Sequence, residues 1–204
     1  MDLGTVAAVA VVAGLAGGAV GAATVGTVEG ILRQRYVRHK PRFVAYARSI
    51  AAATDQPFSA VLDGLDPDSR TILTIARQEA IQSGHSHIGT EHLAMALRLS
   101  TNSTLIGIWE QLNVDPDTMR RRIEAAVPPN LAGTAPTELR LTPRVAKIVA
   151  IARAMATRRK RPEMAPEILL IALADEREGV GAQVLASLGA TAERIREIVD
   201  TMKP

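Results

Sequence analysis

Scanned for alternating apolar and polar positions, the chain divides into one unbroken apolar run and a much longer stretch of helical periodicity. From Leu3 to Val28 there are 26 residues without a charge, enough for a helix to cross about 30 Å of hydrocarbon. Further on, apolar side chains recur at three- and four-residue spacing, as in Ile72, Ile75, Ala76 and Ala80, the stripe of an amphipathic helix. Alternating β-branched and polar runs are absent beyond the first 30 positions. The pattern predicts an all-α protein.

The periodic part repeats itself. Leu65–Ile123 lies over Leu141–Val199 at a constant offset of 76 residues without a gap. Leu65 falls on Leu141, Pro67 on Pro143, Ile75-Ala76-Arg77 on Ile151-Ala152-Arg153, Glu91 on Glu167, and Leu112 on Leu188. An offset held over so long a stretch marks a duplicated structural unit. Each copy reads as four helices. The first opens at Asp66-Pro67 or Thr142-Pro143, where a capping side chain precedes a proline at the first helical position. The second covers Thr90–Leu99 or Pro166–Leu173, and the third Thr104–Leu112 or Val180–Leu188. The fourth covers Asp115–Val127 or Thr191–Met202, after a turn at Asn113 or Gly189. The expected organisation is an N-terminal helix over 1–32, a connector over 33–63, and a domain over 64–204. Within that domain, repeat 1 (64–127) and repeat 2 (141–203) flank a Pro-, Gly- and Thr-rich linker (128–140). Two four-helix units related by a pseudo-twofold axis would share one core.

Hydrophobic residues make up 47 % of the chain, yet one Trp, two Tyr and two Phe are its only aromatics. Ala, Leu, Ile and Val must fill the core. With no cysteine, disulfides, thiol nucleophiles and Cys-ligated zinc are excluded. The pI near 9.7 points towards nucleic acid only until the charge is located. Arg33, Arg35, Arg38, Lys40, Arg42 and Arg48 cluster with no acid among them, while 49–204 carries 18 Lys/Arg against 19 Asp/Glu. A nucleic-acid footprint spreads over a domain face, so no nucleic-acid partner is expected.

The cluster follows the apolar run, and only Asp2 precedes it. A secretory signal has the reverse order. The positive-inside rule then gives a single-pass protein of a bacterial cell membrane, N-terminus out and C-terminal domain cytoplasmic. The alternative is a flexible or signal-like tail. In the membrane reading, Arg33, Arg35, Arg38, Lys40 and Arg42 would hold anionic lipid headgroups. The pairs Gly14/Gly18, Gly17/Gly21 and Gly26/Gly30 have the spacing that permits a homodimer through close helix approach.

Arg77-Gln-Glu-Ala followed by Gly84-His-Ser-His-Ile-Gly-Thr-Glu-His92 is similar to the signature of the Clp ATPase N-terminal domain repeat. In the second copy, Leu141-Thr-Pro-Arg144 and Glu178-Gly-Val-Gly-Ala-Gln-Val-Leu-Ala-Ser-Leu-Gly189 resemble other stretches of that repeat, and the resemblance covers about 64–203. It implies a domain that binds substrates and adaptors on an AAA+ unfoldase. In the ClpC branch it implies recognition of arginine-phosphorylated proteins through the Glu of Gly-Thr-Glu-His. The site residues implied are Thr90, Glu91 and His92 in the first copy and Thr142, Arg144 and Glu167 in the second. A carboxylate can pair a guanidinium in bidentate fashion, and a helix N-terminus offers N–H groups to phosphate. Within a single repeat, however, each site keeps only half of the family pattern. The first has Leu65-Asp66-Pro67-Asp68 where the family carries Phe-Thr-x-Arg, and the second has Ala165-Pro166-Glu167-Ile168 in place of Gly-Thr-Glu-His. Arg158-Arg159-Lys160-Arg161 replaces the family's Leu-Gly-His turn and reads as a solvated turn or an anion-attracting cluster.

No Gly-x-x-x-x-Gly-Lys-Ser/Thr loop occurs, and 204 residues leave no room for an AAA+ module beside this domain. No nucleophile motif is visible. His85, His87, His92 and Glu91 lie within eight residues, but the second copy keeps none of the histidines, so no metal or other cofactor is expected. The sequence therefore predicts a non-enzymatic binder of unfolded or arginine-phosphorylated proteins and of Clp ATPase or protease components. Such a chain would act as adaptor, substrate receptor or decoy. The alternative is a structural scaffold organising a membrane complex with its groove unused.

Overall fold

Where proline follows a capping side chain, a helix begins. The computed structural model describes residues 57–63, 65–130, 138–158 and 164–202. In order, the elements are α1 (Phe58–Val61), α2 (Pro67–Gln82), β1 (His87–Ile88), α3 (Thr90–Leu99), α4 (Ser103–Leu112) and α5 (Pro116–Ala126). There follow β2 (Arg140–Leu141), α6 (Pro143–Arg158), α7 (Pro166–Glu176), α8 (Val180–Ser187) and α9 (Ala192–Thr201). The side chains of Asp66, Asn102, Asp115 and Thr191 accept backbone N–H groups at the starts of α2, α4, α5 and α9, satisfying donors that a helix N-terminus leaves unpaired. Asn113 and Gly189 end α4 and α8 in the left-handed region, at φ 53° and 77°. They are equivalent positions in the two repeats, so the turn chemistry was duplicated with the helices.

Two short strands depart from the all-helical expectation. β1 pairs with β2 in parallel, His87 with Arg140 and Ile88 with Leu141, and Leu65 forms an isolated parallel bridge with Met164. Shifting Leu65 and Ile88 by the repeat offset gives Leu141 and Met164. The Ile88/Leu141 and Leu65/Met164 pairs therefore exchange under the duplication. That exchange is the signature of the pseudo-twofold axis, and it joins each repeat to the other rather than to itself. Two-residue strands carry no readable alternation, which is why the periodicity missed them.

One core serves both repeats. Ile72, Leu73, Leu93, Leu97, Ile108, Ile148, Leu169, Leu173 and Leu185 are fully or almost fully buried in a single cluster. α8 packs on α3 and α5, and α2 on α7. Trp109 is buried among them, with its Nε1 donating to Leu97 O at 3.0 Å and the Arg98 guanidinium 5.9 Å from its ring centroid.

The expected single-pass placement in a bacterial cell membrane is corrected here. Among the described residues no helix is long and apolar enough to cross a membrane. α7, whose residues from Pro166 to Leu173 are all buried, has only 11 residues, about 16 Å at 1.5 Å per residue, and its apolar side chains go to the core instead. The run Leu3–Val28 that carried the expectation lies outside the described residues. So do the glycine pairs, the cluster Arg33, Arg35, Arg38, Lys40 and Arg42, and Arg159, Lys160 and Arg161.

Candidate functional site

The strand pairing brings two helix N-termini together from opposite repeats. Thr142 N donates to Ile88 O at 3.0 Å, so the residues opening α6 lie directly beside those opening α3. Thr142 caps α6, its Oγ1 accepting from Val145 N at 3.4 Å. Thr90, only 3 % exposed, accepts from Gly181 N at 3.2 Å, which draws the start of α8 onto the same point. The approach is so close that a Cβ at Gly181 would lie 2.1 Å from Thr90 O, and one at Gly179 would lie 2.6 Å from Thr90 Oγ1. The two preserved halves of the sequence pattern, Gly89-Thr90-Glu91-His92 and Thr142-x-Arg144, thus meet at one junction between the repeats. Neither site is assembled within a repeat.

Arg144 is half exposed, but its guanidinium is engaged. It donates to Glu176 Oε1 at 2.6 Å and to Glu178 Oε2 at 2.7 Å. Bonding to the two carboxylates, Glu178 first, raises its pKa above the ordinary arginine value. Glu176 has a side chain 1 % exposed, and its second oxygen accepts from Gly179 N at 2.5 Å. One buried carboxylate thereby fixes both the cation of the junction and the start of α8. An anion arriving here shares Arg144 with these acids.

Glu91 and His92 open α3. The Glu91 carboxylate folds back over Gly89, where a Cβ would stand 2.1 Å from Oε1, and lies 3.4 Å from His92 Nδ1. His92 is 4 % exposed. Its Nδ1 accepts from Gly89 N at 2.9 Å, the half of a capping box that the third helical position supplies, since Gly89 has no side chain to return a bond. Since Nδ1 must be the unprotonated nitrogen, Nε2 carries the hydrogen and donates to His85 Nδ1 at 2.8 Å. His85 Nε2 then donates to Pro128 O at 3.2 Å. Three links of one polarity run from the cap of α3 to the segment between the repeats, with both imidazoles neutral. Burial first, and the neighbouring His85 second, push the His92 pKa down to about 4.

His85, Glu91 and His92 bring one possible ligand atom each to within 4.8 Å of one another. The tautomers oppose a shared ion. His92 presents N–H rather than a lone pair towards His85, and the reverse tautomer would set two N–H groups face to face at Gly89. The cluster is a hydrogen-bonded relay.

Glu167 lies away from this junction. It opens α7 and is 7 % exposed, on the side where Leu65 bridges Met164. Sequence reasoning missed Glu176, Glu178, Gly179 and Gly181 as parts of the junction. The Gly-x-Gly spacing at the head of α8 was a usable signal, because paired glycines often mark a close backbone approach.

Comparison with known proteins agrees with this architecture. The family model described as the Clp repeat (R) N-terminal domain matches residues 65–188 and 140–203. The chaperone protein ClpB of Oceanobacillus iheyensis is 27 % identical over 132 residues, 64 % of this chain and 16 % of that protein. The ATP-binding subunit ClpC of the Clp protease of Staphylococcus aureus is 29 % identical over 130 residues, 63 % of this chain and 15 % of that protein. The match thus spans about one sixth of these relatives' length. Among solved structures, the Hsp104 N-terminal domain of Candida albicans superposes with a TM-score of 0.56 at 15 % identity, covering 67 % of this chain and 89 % of that one. The ClpD N-terminal domain of Arabidopsis thaliana gives 0.53 at 15 %, covering 69 % and 95 %. At such identities the likeness is one of fold. With its doubled repeat matched from residue 65 to residue 203, the chain belongs to the Clp repeat (R) N-terminal domain family.

Proposed function

We propose that this domain is a non-catalytic receptor that captures segments of other proteins at the junction of α3 and α6, as an adaptor or substrate receptor in Clp-dependent protein quality control. The observation that carries the reading is the cross-repeat pairing of Ile88 with Leu141, which puts Thr90 and Glu91 beside Thr142 and Arg144. Glu91 offers a carboxylate for a guanidinium. Thr142, the α6 N-terminus and Arg144 offer polar and positive groups for an anion a few ångströms along the chain. A ligand with both charges on one side chain, a phosphorylated arginine, is the finer form of the proposal.

Isothermal titration of the full chain with a synthetic peptide carrying one phosphoarginine, against its unmodified counterpart, tests it. The expected result is binding that Glu91→Ala weakens at least tenfold and that Glu167→Ala leaves within twofold, because Glu167 stands at the other junction. Equal binding by wild type and Glu91→Ala would sink the assignment of the site.

A further inference from the structure

The duplication builds a second junction, and its chemistry is inverted. The repeat offset places Asp66 where Thr142 stands, Asp68 at Arg144, Asn102 at Glu178, and Ala165-Pro166-Glu167 at Gly89-Thr90-Glu91. The backbone frame is kept: Leu65 bridges Met164, and Ser69 Oγ donates to Met164 O at 2.7 Å. What fills the frame differs. At the first turn of α2, Asp66 Oδ1 accepts from both Asp68 N and Ser69 N, at 3.0 and 3.1 Å. The N–H groups that an external anion would use therefore already hold an internal one. Asp66 Oδ2 is buried without a hydrogen-bond partner, so the negative charge at this helix start is compensated only through Oδ1. The interaction that Arg144 makes with Glu178 is replaced by Asn102 Nδ2 donating to Asp68 Oδ2 at 2.6 Å, with the cation gone. Pro166 removes one more backbone donor at the head of α7. By contrast, the first turn of α6 carries no acid.

We infer that the domain is one-sided: anion acceptance is confined to the α3/α6 junction, and Asp66 and Asp68 are the residues that close its pseudo-equivalent at α2/α7. This rests on the proposed binding role for its biological use, but the asymmetry is measurable without it. Electrostatics favours the assignment: Asp66 and Asp68 accept from amide groups, whereas Glu176 and Glu178 are paired with Arg144, and carboxylates without a cation repel a phosphate dianion that the dipole alone would attract.

Inorganic phosphate titrated into the full chain, read by amide chemical shifts, tests the inference. The expected wild-type result is saturable movement of the Arg144 and Val145 amides with none at Asp68 and Ser69. The Asp66→Thr/Asp68→Arg variant keeps a capping side chain at position 66 and should show movement at both helix starts. Titration of the phosphoarginine peptide should then rise from one site to two. Movement of the Ser69 amide in wild type, or no movement at either junction, overturns the inference. A variant that folds, by its dispersed spectrum, yet gains no second site also overturns it. A peptide that fails to bind while phosphate still perturbs only α6 refutes the phosphoarginine form of the proposed function and leaves the asymmetry standing.

Discussion

His92 shows how much one side chain holds at the candidate site. It caps α3, feeds a hydrogen bond to His85 and borders Glu91, and it does so only while neutral. Its pKa of about 4 against 6.5 in the unfolded chain means that between those pH values the unfolded state binds more protons. The associated stability is complete above about pH 6.5 and is lost as pH falls towards 4. At roughly 1.4 kcal/mol per pKa unit the loss is about 3 kcal/mol. His92→Gln keeps an acceptor at the third helical position and removes the titration. Denaturant unfolding at pH 7 and pH 4.5 should show the wild type losing about 2–3 kcal/mol more than the variant between the two; equal losses would refute the neutral relay. The family resemblance singled out His92 as a site residue, but its chain of donors was not legible, because Pro128 lies 43 positions from His85.

Among the elements, helices were far easier to read than the contacts between them. α2 and α6 begin at the prolines their caps announce, and α4 ends at Asn113 as the left-handed turn requires. These are local signals, decided within four or five residues. The meeting of α3 with α8 is not local: Gly181 touches Thr90 across 91 positions. A Cβ there would stand 2.1 Å from a backbone oxygen, which cannot swing aside as the end of a side chain can. Gly181→Ala should therefore cost about 3 kcal/mol, the upper end for overpacking, and shift the amides of Thr90 and Glu91. A thermal midpoint within one or two degrees of wild type would show that α8 slides freely and that the tight contact does not set the junction.

For the whole molecule, the repeat was legible and its mode of union was not. A gapless offset predicts two similar units, but it says nothing about whether each buries its own core. The structure answers through α8 on α3 and α2 on α7: each repeat covers the apolar faces of the other. A fragment spanning 57–127 should accordingly be largely unfolded, with much weaker helical circular dichroism per residue than the full chain. Full helicity with a cooperative thermal transition would refute a shared core. The two parallel bridges also have a kinetic consequence. They close loops of 53 residues, from Ile88 to Leu141, and of 99, from Leu65 to Met164. Loop-closure entropy must be met before such contacts stabilise anything, so they belong to the last events of folding. The candidate site exists only once they form, and a half-finished or locally opened chain would have nothing with which to hold the proposed ligand. Occupancy at the junction would then report on the integrity of the entire domain, and a bound ligand would protect all of it against unfolding at once.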